Sequence, residues 1–114
     1  MAIQTTRITV SNTSYIAFTG VTVAPVTGNA ITTIMICNTG NDDTAVISMW
    51  AVPNAAGAIG AASTSNQIVN ALAVPGGETV SFDQEKLVFG NNDTLVVSSN
   101  VSNMLTVLVS YIQV

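Results

Sequence analysis

The sequence predicts an all-β protein: one antiparallel β-sandwich domain, jelly-roll-like, with about eight short strands. Val, Ile and Thr supply 41 of the 114 residues and Leu only 5, and β-branched residues favour strands over helices. Clusters of Asn, Gly, Ser and Asp recur along the chain and separate β-rich runs, which is typical of sandwiches and barrels. An immunoglobulin-like sandwich is the main alternative. A chain of this length is expected to form one domain, over residues 1–114.

Each run between two turn clusters is interpreted as a strand. The first, at 3–10, belongs to a segment (1–10) that serves as an N-terminal arm or as the first strand. The next five are expected at 14–23, 30–37, 44–52, 67–74 and 79–89, the last with a break near Asp83. Two more are expected at 94–98 and 104–113.

Residues 53–66 form the one clear shift in composition, because this segment is rich in Ala, Gly and Ser and has no charge. A long loop between compact strands is either a contact loop or a flexible connector. Both interpretations stay open from the sequence.

Several predicted strands are apolar on both faces. In the third strand Ile34 and Ile36 alternate with Met35 and Cys37, and the fourth and last strands follow the same pattern. A free sandwich buries one face of each strand and exposes the other, so we expect a second copy or a long loop to cover the outer face. The sequence therefore predicts a homo-oligomer. Cys37 is expected to be a small buried hydrophobe.

The charge and the residue inventory exclude several functions. The net charge is −4, with Arg7 and Lys86 as the only cations, so nucleic-acid binding is not expected. The chain has no His, which removes Ser-His-Asp and Cys-His catalysis. Asp83 and Glu85 are more typical of a solvated strand edge than of an acid-base pair. We expect no enzyme activity and no cofactor.

Metal binding and membrane insertion are also not expected. The turns Asn41-Asp42-Asp43 and Asn91-Asn92-Asp93 offer oxygen ligands but lack the spacing of a calcium-binding EF-hand loop. A structural turn is the preferred interpretation of both, with calcium as the alternative. Residues 1–7 lack the features of a signal peptide, and no apolar run approaches the length that spans a bilayer.

The C-terminal half of the chain resembles small virion proteins of tailed bacteriophages. The resemblance rests on the runs LAVPGGETV (72–80), EKLVFGNNDTL (85–95) and VLVSYIQV (107–114). Upstream, IMICNT (34–39) and ISMWAVP (47–53) match the first half of the pattern. Asn91-Asn92-Asp93 replaces a simpler Gly-Asp turn. These motifs consist of turn and strand residues and include no catalytic signature.

The resemblance implies a non-enzymatic structural protein of the virion, made in the host cytoplasm. The first expectation is a trimeric capsid decoration (cement) protein that binds and stabilises the lattice of the major capsid protein. The alternatives are a tail, baseplate or fibre protein that contacts another virion protein, and a carbohydrate-binding or cell-surface module. No binding residue transfers by motif. The predicted contact residues are Ile3, Thr5, Arg7, Trp50, Pro53, Ile59 and Tyr111, with core packing favoured over an interface role for Trp50.

Overall fold

A computed structural model describes residues 2–83 and 87–114, which form nine strands and no helix. The first five strands are β1 (Ala2–Ile8), β2 (Tyr15–Thr19), β3 (Asn29–Asn38), β4 (Ala45–Val52) and β5 (Gln67–Val74). The last four are β6 (Thr79–Phe82), β7 (Leu87–Phe89), β8 (Thr94–Ser99) and β9 (Leu105–Gln113).

The strands form two antiparallel sheets, which confirms the predicted β-sandwich. The first sheet has the order β1-β9-β3-β6, and β7 also pairs with β3; the second has the order β2-β8-β4-β5. Since β6 and β7 share one position beside β3, the sandwich has eight strand positions. The antiparallel pairs are nested along the chain: β4 pairs with β5, and successive outer pairs are β3 with β6/β7, β2 with β8 and β1 with β9. The chain therefore has the pairing of one long hairpin that is folded over into two sheets. This is the jelly-roll arrangement, and it differs from the immunoglobulin order.

The predicted strands agree with the structure except at a few ends. The break expected near Asp83 separates β6 from β7. The second strand ends at Thr19, earlier than predicted, where its partner strand β8 begins at Thr94. The Gly20 N–H still donates to the Asp93 carbonyl, 2.8 Å away, before the chain enters the 20–28 loop. The expectations for Glu85 and Lys86 lie outside the described residues.

The core lies between the sheets and is built from alternate residues of each strand. Phe18 is central: its ring centroid lies 4.7 Å from that of Tyr111 and 5.8 Å from that of Phe89. Aliphatic side chains complete the cluster, among them Ile8, Ile31, Ile34, Ile36, Ile47, Leu95, Leu105, Val107 and Val109. Because successive side chains of a strand point to opposite faces, alternate residues of each strand lie in the core.

Two predicted burials are wrong. Cys37 is half-buried, because it lies on the outer face of β3 while Ile36 and Asn38 on either side point inward. Trp50 is half-buried and is not part of the core cluster, since Ala45, Ile47 and Met49 fill the inner positions of β4. Its cross-strand neighbour on β8 is Val96. The sequence could not separate the two faces, because both are apolar.

Candidate contact surface

The candidate site is the end of the sandwich where three loops meet. β2, β4 and β7 end there, and β3, β5 and β8 begin there. The loops are residues 20–28, 53–66 and 90–93. We call this set of loops the loop end.

Asp93 joins two of these loops through its carboxylate. Its Oδ1 accepts from the Asn54 backbone N–H at 2.8 Å and from Asn54 Nδ2 at 3.1 Å, and its Oδ2 accepts from the Gly90 N–H at 2.8 Å. Partial desolvation raises the pKa of Asp93, but these hydrogen bonds outweigh it and hold the pKa below its ordinary value. The charged carboxylate therefore fixes the base of the 53–66 loop.

The 90–93 turn also binds the other two loops. Asn92 adopts a positive φ of 61°, which Asn tolerates, and its Nδ2 donates to the Gly57 carbonyl at 2.6 Å. Its backbone N–H donates to the Gly20 carbonyl at 2.9 Å, and the Thr22 N–H donates to Asn91 Oδ1 at 3.4 Å. One four-residue turn thus positions both longer loops.

The 53–66 loop contains a small hairpin that the sequence did not predict. Ala55 and Ala58 exchange backbone hydrogen bonds of 2.7 and 3.0 Å. Ala56 and Gly57 between them have φ values of 52° and 85°, as a type I′ turn requires. The Gly57 N–H also donates to Asn54 Oδ1 at 3.1 Å. The segment is therefore an ordered projection, which favours the contact-loop interpretation over the flexible connector.

The loop end exposes apolar side chains. All residues from Pro53 to Ile59 are exposed, and Ile59 retains 50% of its accessible surface. Val23 of the neighbouring loop retains 69%. Of the described acidic residues only Asp93 lies in these loops, whereas Asp42, Asp43 and Glu78 lie in the loops of the opposite end. The molecule therefore has one apolar end and one acidic end.

The predicted contact residues fall into two groups. Pro53 and Ile59 belong to the same exposed loop. Ile3, Thr5 and Arg7 are exposed residues of β1 that share its outer face. Tyr111 and Trp50 belong to neither group: Tyr111 packs its ring on Phe18, and Trp50 lies half-buried on β4.

Arg7 is held by neutral groups of its own sheet. Its Nη1 donates to Thr39 Oγ1 at 2.9 Å and to Thr106 Oγ1 at 3.0 Å, and its Nη2 donates to the Asn103 carbonyl. The guanidinium is thereby directed across the outer face of the first sheet, toward the 39 and 103 loops. It is the only cationic side chain in the described part of the chain.

Other candidate chemistry is sparse. Within residues 2–83 and 87–114, no three His, Cys, Asp or Glu side chains come together as a metal site would require. Glu78 directly precedes β6, where its carbonyl accepts from the Asn38 N–H at 2.9 Å. The described strands and loops include no helix with the length and hydrophobicity to cross a bilayer.

Sequence reasoning missed the residues that organise the loop end. Asn54 and Asp93 are 39 positions apart, and nothing in either local sequence indicates the contact. Val21 and Val23 were assigned to the second strand, although they lie in the 20–28 loop. Comparison with protein-family models and with curated proteins found no match for the chain.

Proposed function

We propose that this chain is a non-enzymatic structural protein of a tailed-bacteriophage particle, and that it decorates the capsid by binding the lattice of the major capsid protein. The observation that carries the proposal is the loop end: exposed apolar side chains on loops that Asp93 and Asn92 hold in place. The resemblance of residues 66–114 to phage virion proteins supplies the biological setting.

Pre-organisation of the loops favours stable docking. Ordering a mobile loop upon binding costs free energy, and a loop that is already ordered avoids that cost. The Ala55–Ala58 hairpin and the Asn54–Asp93 hydrogen bonds provide this order before any partner arrives. The loop end therefore suits a permanent contact with a rigid surface.

The near absence of charge supports the same function. Charged residues form 7% of the chain, and its polar surface consists mainly of Thr, Asn and Ser. Burying ions at an interface carries a large desolvation penalty, while neutral polar groups cost less. The carboxylate of Asp93 already accepts three hydrogen bonds, so docking need not desolvate a free charge there.

The mechanism is mass action. A protein that binds only the assembled lattice stabilises that lattice by RT ln(1 + [L]/Kd) at each site. Many identical sites on one capsid add these contributions.

The test mixes the purified protein with expanded capsids that lack it and, separately, with purified tails of the same phage. Sedimentation measures binding, and calorimetry measures the melting temperature of the capsids. We expect saturable binding to capsids and a higher capsid melting temperature.

Three other results would overturn the capsid proposal or replace it. Binding to tails alone would overturn the capsid role and assign the chain to the tail, baseplate or fibre. Binding to neither particle would overturn the virion proposal. A glycan array run in parallel would detect a carbohydrate-binding module instead.

A further inference from the structure

β1 forms an edge of the first sheet, and its outer side has no neighbouring strand among the described residues. Its seven residues pair with β9 from Ala2 opposite Tyr111 to Ile8 opposite Leu105, without a shift in register. The backbone groups on the other side of such a strand are free to pair with another strand.

The other three edges of the sandwich carry features that hinder strand pairing. β2 has five residues and a register shift between Ile16 and Phe18. β5 has two register shifts and a positive φ of 56° at Ala71. β6 and β7 have four and three residues. Bulges and short strands are the usual protection of sheet edges, so among the strands of residues 2–83 and 87–114 β1 is the one long, regular edge.

β1 also lacks the chemical protection of an edge. It contains no Pro, and its single charged residue is Arg7. The guanidinium of Arg7 is hydrogen-bonded to Thr106 on β9 and to Thr39, so it is held over its own sheet instead of beyond the edge.

The N-terminal part of β1 is open on both faces. Ala2 and Gln4 share the inner face with Ile8, yet both are exposed, because the second sheet does not cover them. Ile3, on the outer face, retains 64% of its accessible surface. An approaching strand therefore meets no obstacle from the second sheet along residues 2–5.

We propose that β1 pairs antiparallel with β1 of a second copy of this chain, so that the first sheets of two copies form one continuous sheet. A two-fold axis perpendicular to the sheet keeps the outer face of both copies on the same side, so each outer-face residue lies opposite an outer-face residue of the other copy. This requires the axis to pass between one residue of β1 and the same residue of the second copy. With the axis at Gln4 or Thr5, the two Arg7 positions lie about 13 Å or more apart along the strands. This exceeds the Debye length of about 8 Å at physiological salt.

A second copy fits this edge on grounds of charge. The chain carries a net charge of −4, and contacts between its acidic ends would be repulsive. β1 contains no acidic residue, and the loops with Asp42, Asp43 and Glu78 lie at the far end, beyond Ile8. An edge without acidic residues, on which the two Arg7 positions lie far apart, is thus where two copies approach with least repulsion.

The first experiment maps the axis by disulfide trapping in the Cys37→Ser background. Single cysteines are placed at Ile3, Gln4, Thr5 and Thr6 in the full chain, and each variant is oxidised at equal concentration. Directly opposite Cα atoms in an antiparallel pair are about 4.5–5.5 Å apart, within the range of a disulfide. A residue that lies two positions from the axis is separated from its own copy by about 13 Å along the strands.

We therefore expect one position to cross-link efficiently and the position two residues away to fail. Equal trapping at all four positions, or none at any, would overturn the proposal.

The second experiment compares two lysine variants by light scattering over a dilution series. Thr5 on β1 and Ser81 on β6 are exposed residues at opposite edges of the first sheet. They lie in one row of cross-strand neighbours, which continues between them through Leu108 on β9 and Met35 on β3. Thr5→Lys places like charges in the seam and should raise the dimer dissociation constant by about tenfold or more. Ser81→Lys adds the same charge at the opposite edge and should leave that constant unchanged.

The proposed dimer does not depend on the capsid role. A monomer or a trimer in solution, with the mass unaffected by Thr5→Lys, would overturn β1 pairing while leaving capsid binding intact. A dimer that is sensitive to Thr5→Lys and binds no capsid would support β1 pairing and overturn the proposed function.

Discussion

Asn54 donates two hydrogen bonds to one oxygen of Asp93, one from its backbone and one from its side chain. This pair links the start of the 53–66 loop to the turn before β8. The second carboxylate oxygen is held by the Gly90 N–H. A single charged group thus keeps the projecting loop in place over a span of 39 residues.

Replacing Asp93 with Asn is expected to destabilise the fold. An amide keeps the size of the carboxylate, but its NH₂ group would face the Gly90 N–H, which is also a donor. Hydrogen bonds to charged groups contribute about 1.5–3 kcal/mol, and partial exposure places the loss at the low end of that range. Urea unfolding measures the change in free energy. Asp42→Asn, in the opposite and exposed loop, is the control and should change stability by less than about 0.5 kcal/mol.

The contribution of Asp93 should also depend on pH. Its pKa is lower in the folded chain than its ordinary value, so its stabilising effect is complete above the unfolded pKa, near 3.9. This stabilising effect is lost as the pH falls through the pKa that Asp93 has in the folded protein. Urea midpoints from pH 7 to pH 2 should show the wild type and Asp93→Asn converging below about pH 4. A gap that stays constant over this range would contradict the assignment.

Asn38 is buried and binds three backbone groups. Its Nδ2 donates to the Val74 and Asp43 carbonyls, each at 2.9 Å, and its Oδ1 accepts from the Gly40 N–H at 2.9 Å. Asn38→Ala leaves the buried Val74 carbonyl without this donor, which should cost about 2–3 kcal/mol. Thermal and urea unfolding test this, with the exposed Asn41→Ala as control. Equal losses in both variants would refute the role given to Asn38.

Adjacent residues of β3 test which face is inside. Ile36 is fully buried and Met35 retains 39% of its accessible surface. Ile36→Ala should destabilise the protein by about 2–5 kcal/mol, since it leaves a cavity. Met35→Ala should cost less than about 1 kcal/mol in the monomer. The reverse order of unfolding free energies would mean that the strand faces are assigned wrongly.

The strands were predictable because β-branched runs and turn residues are local signals. The break between β6 and β7 follows from the same local patterns. The faces of β3 and β4 were not predictable, because Cys37 and Trp50 are as apolar as their buried neighbours. Only the sheet packing decides which of two apolar faces is covered.

The candidate site was predictable in part. Composition alone singled out residues 53–66, and Pro53 and Ile59 are exposed there. The Ala55–Ala58 hairpin and the role of Asp93 depend on contacts between segments distant in sequence. Val21 and Val23 reach the same surface only because the jelly-roll order brings the 20–28 loop to this end of the sandwich.

Whether the loop end is the lattice contact is decided by comparing Ile59→Asp with Val10→Asp in binding to capsids that lack the protein. Ile59 retains 50% of its accessible surface at the loop end, and Val10 retains 52% at the opposite end, so the two changes are matched. We predict that Ile59→Asp weakens capsid binding by about tenfold or more and that Val10→Asp leaves it within about twofold of the wild type. Equal binding by both variants, or a loss only with Val10→Asp, would contradict the assignment of the loop end as the lattice contact.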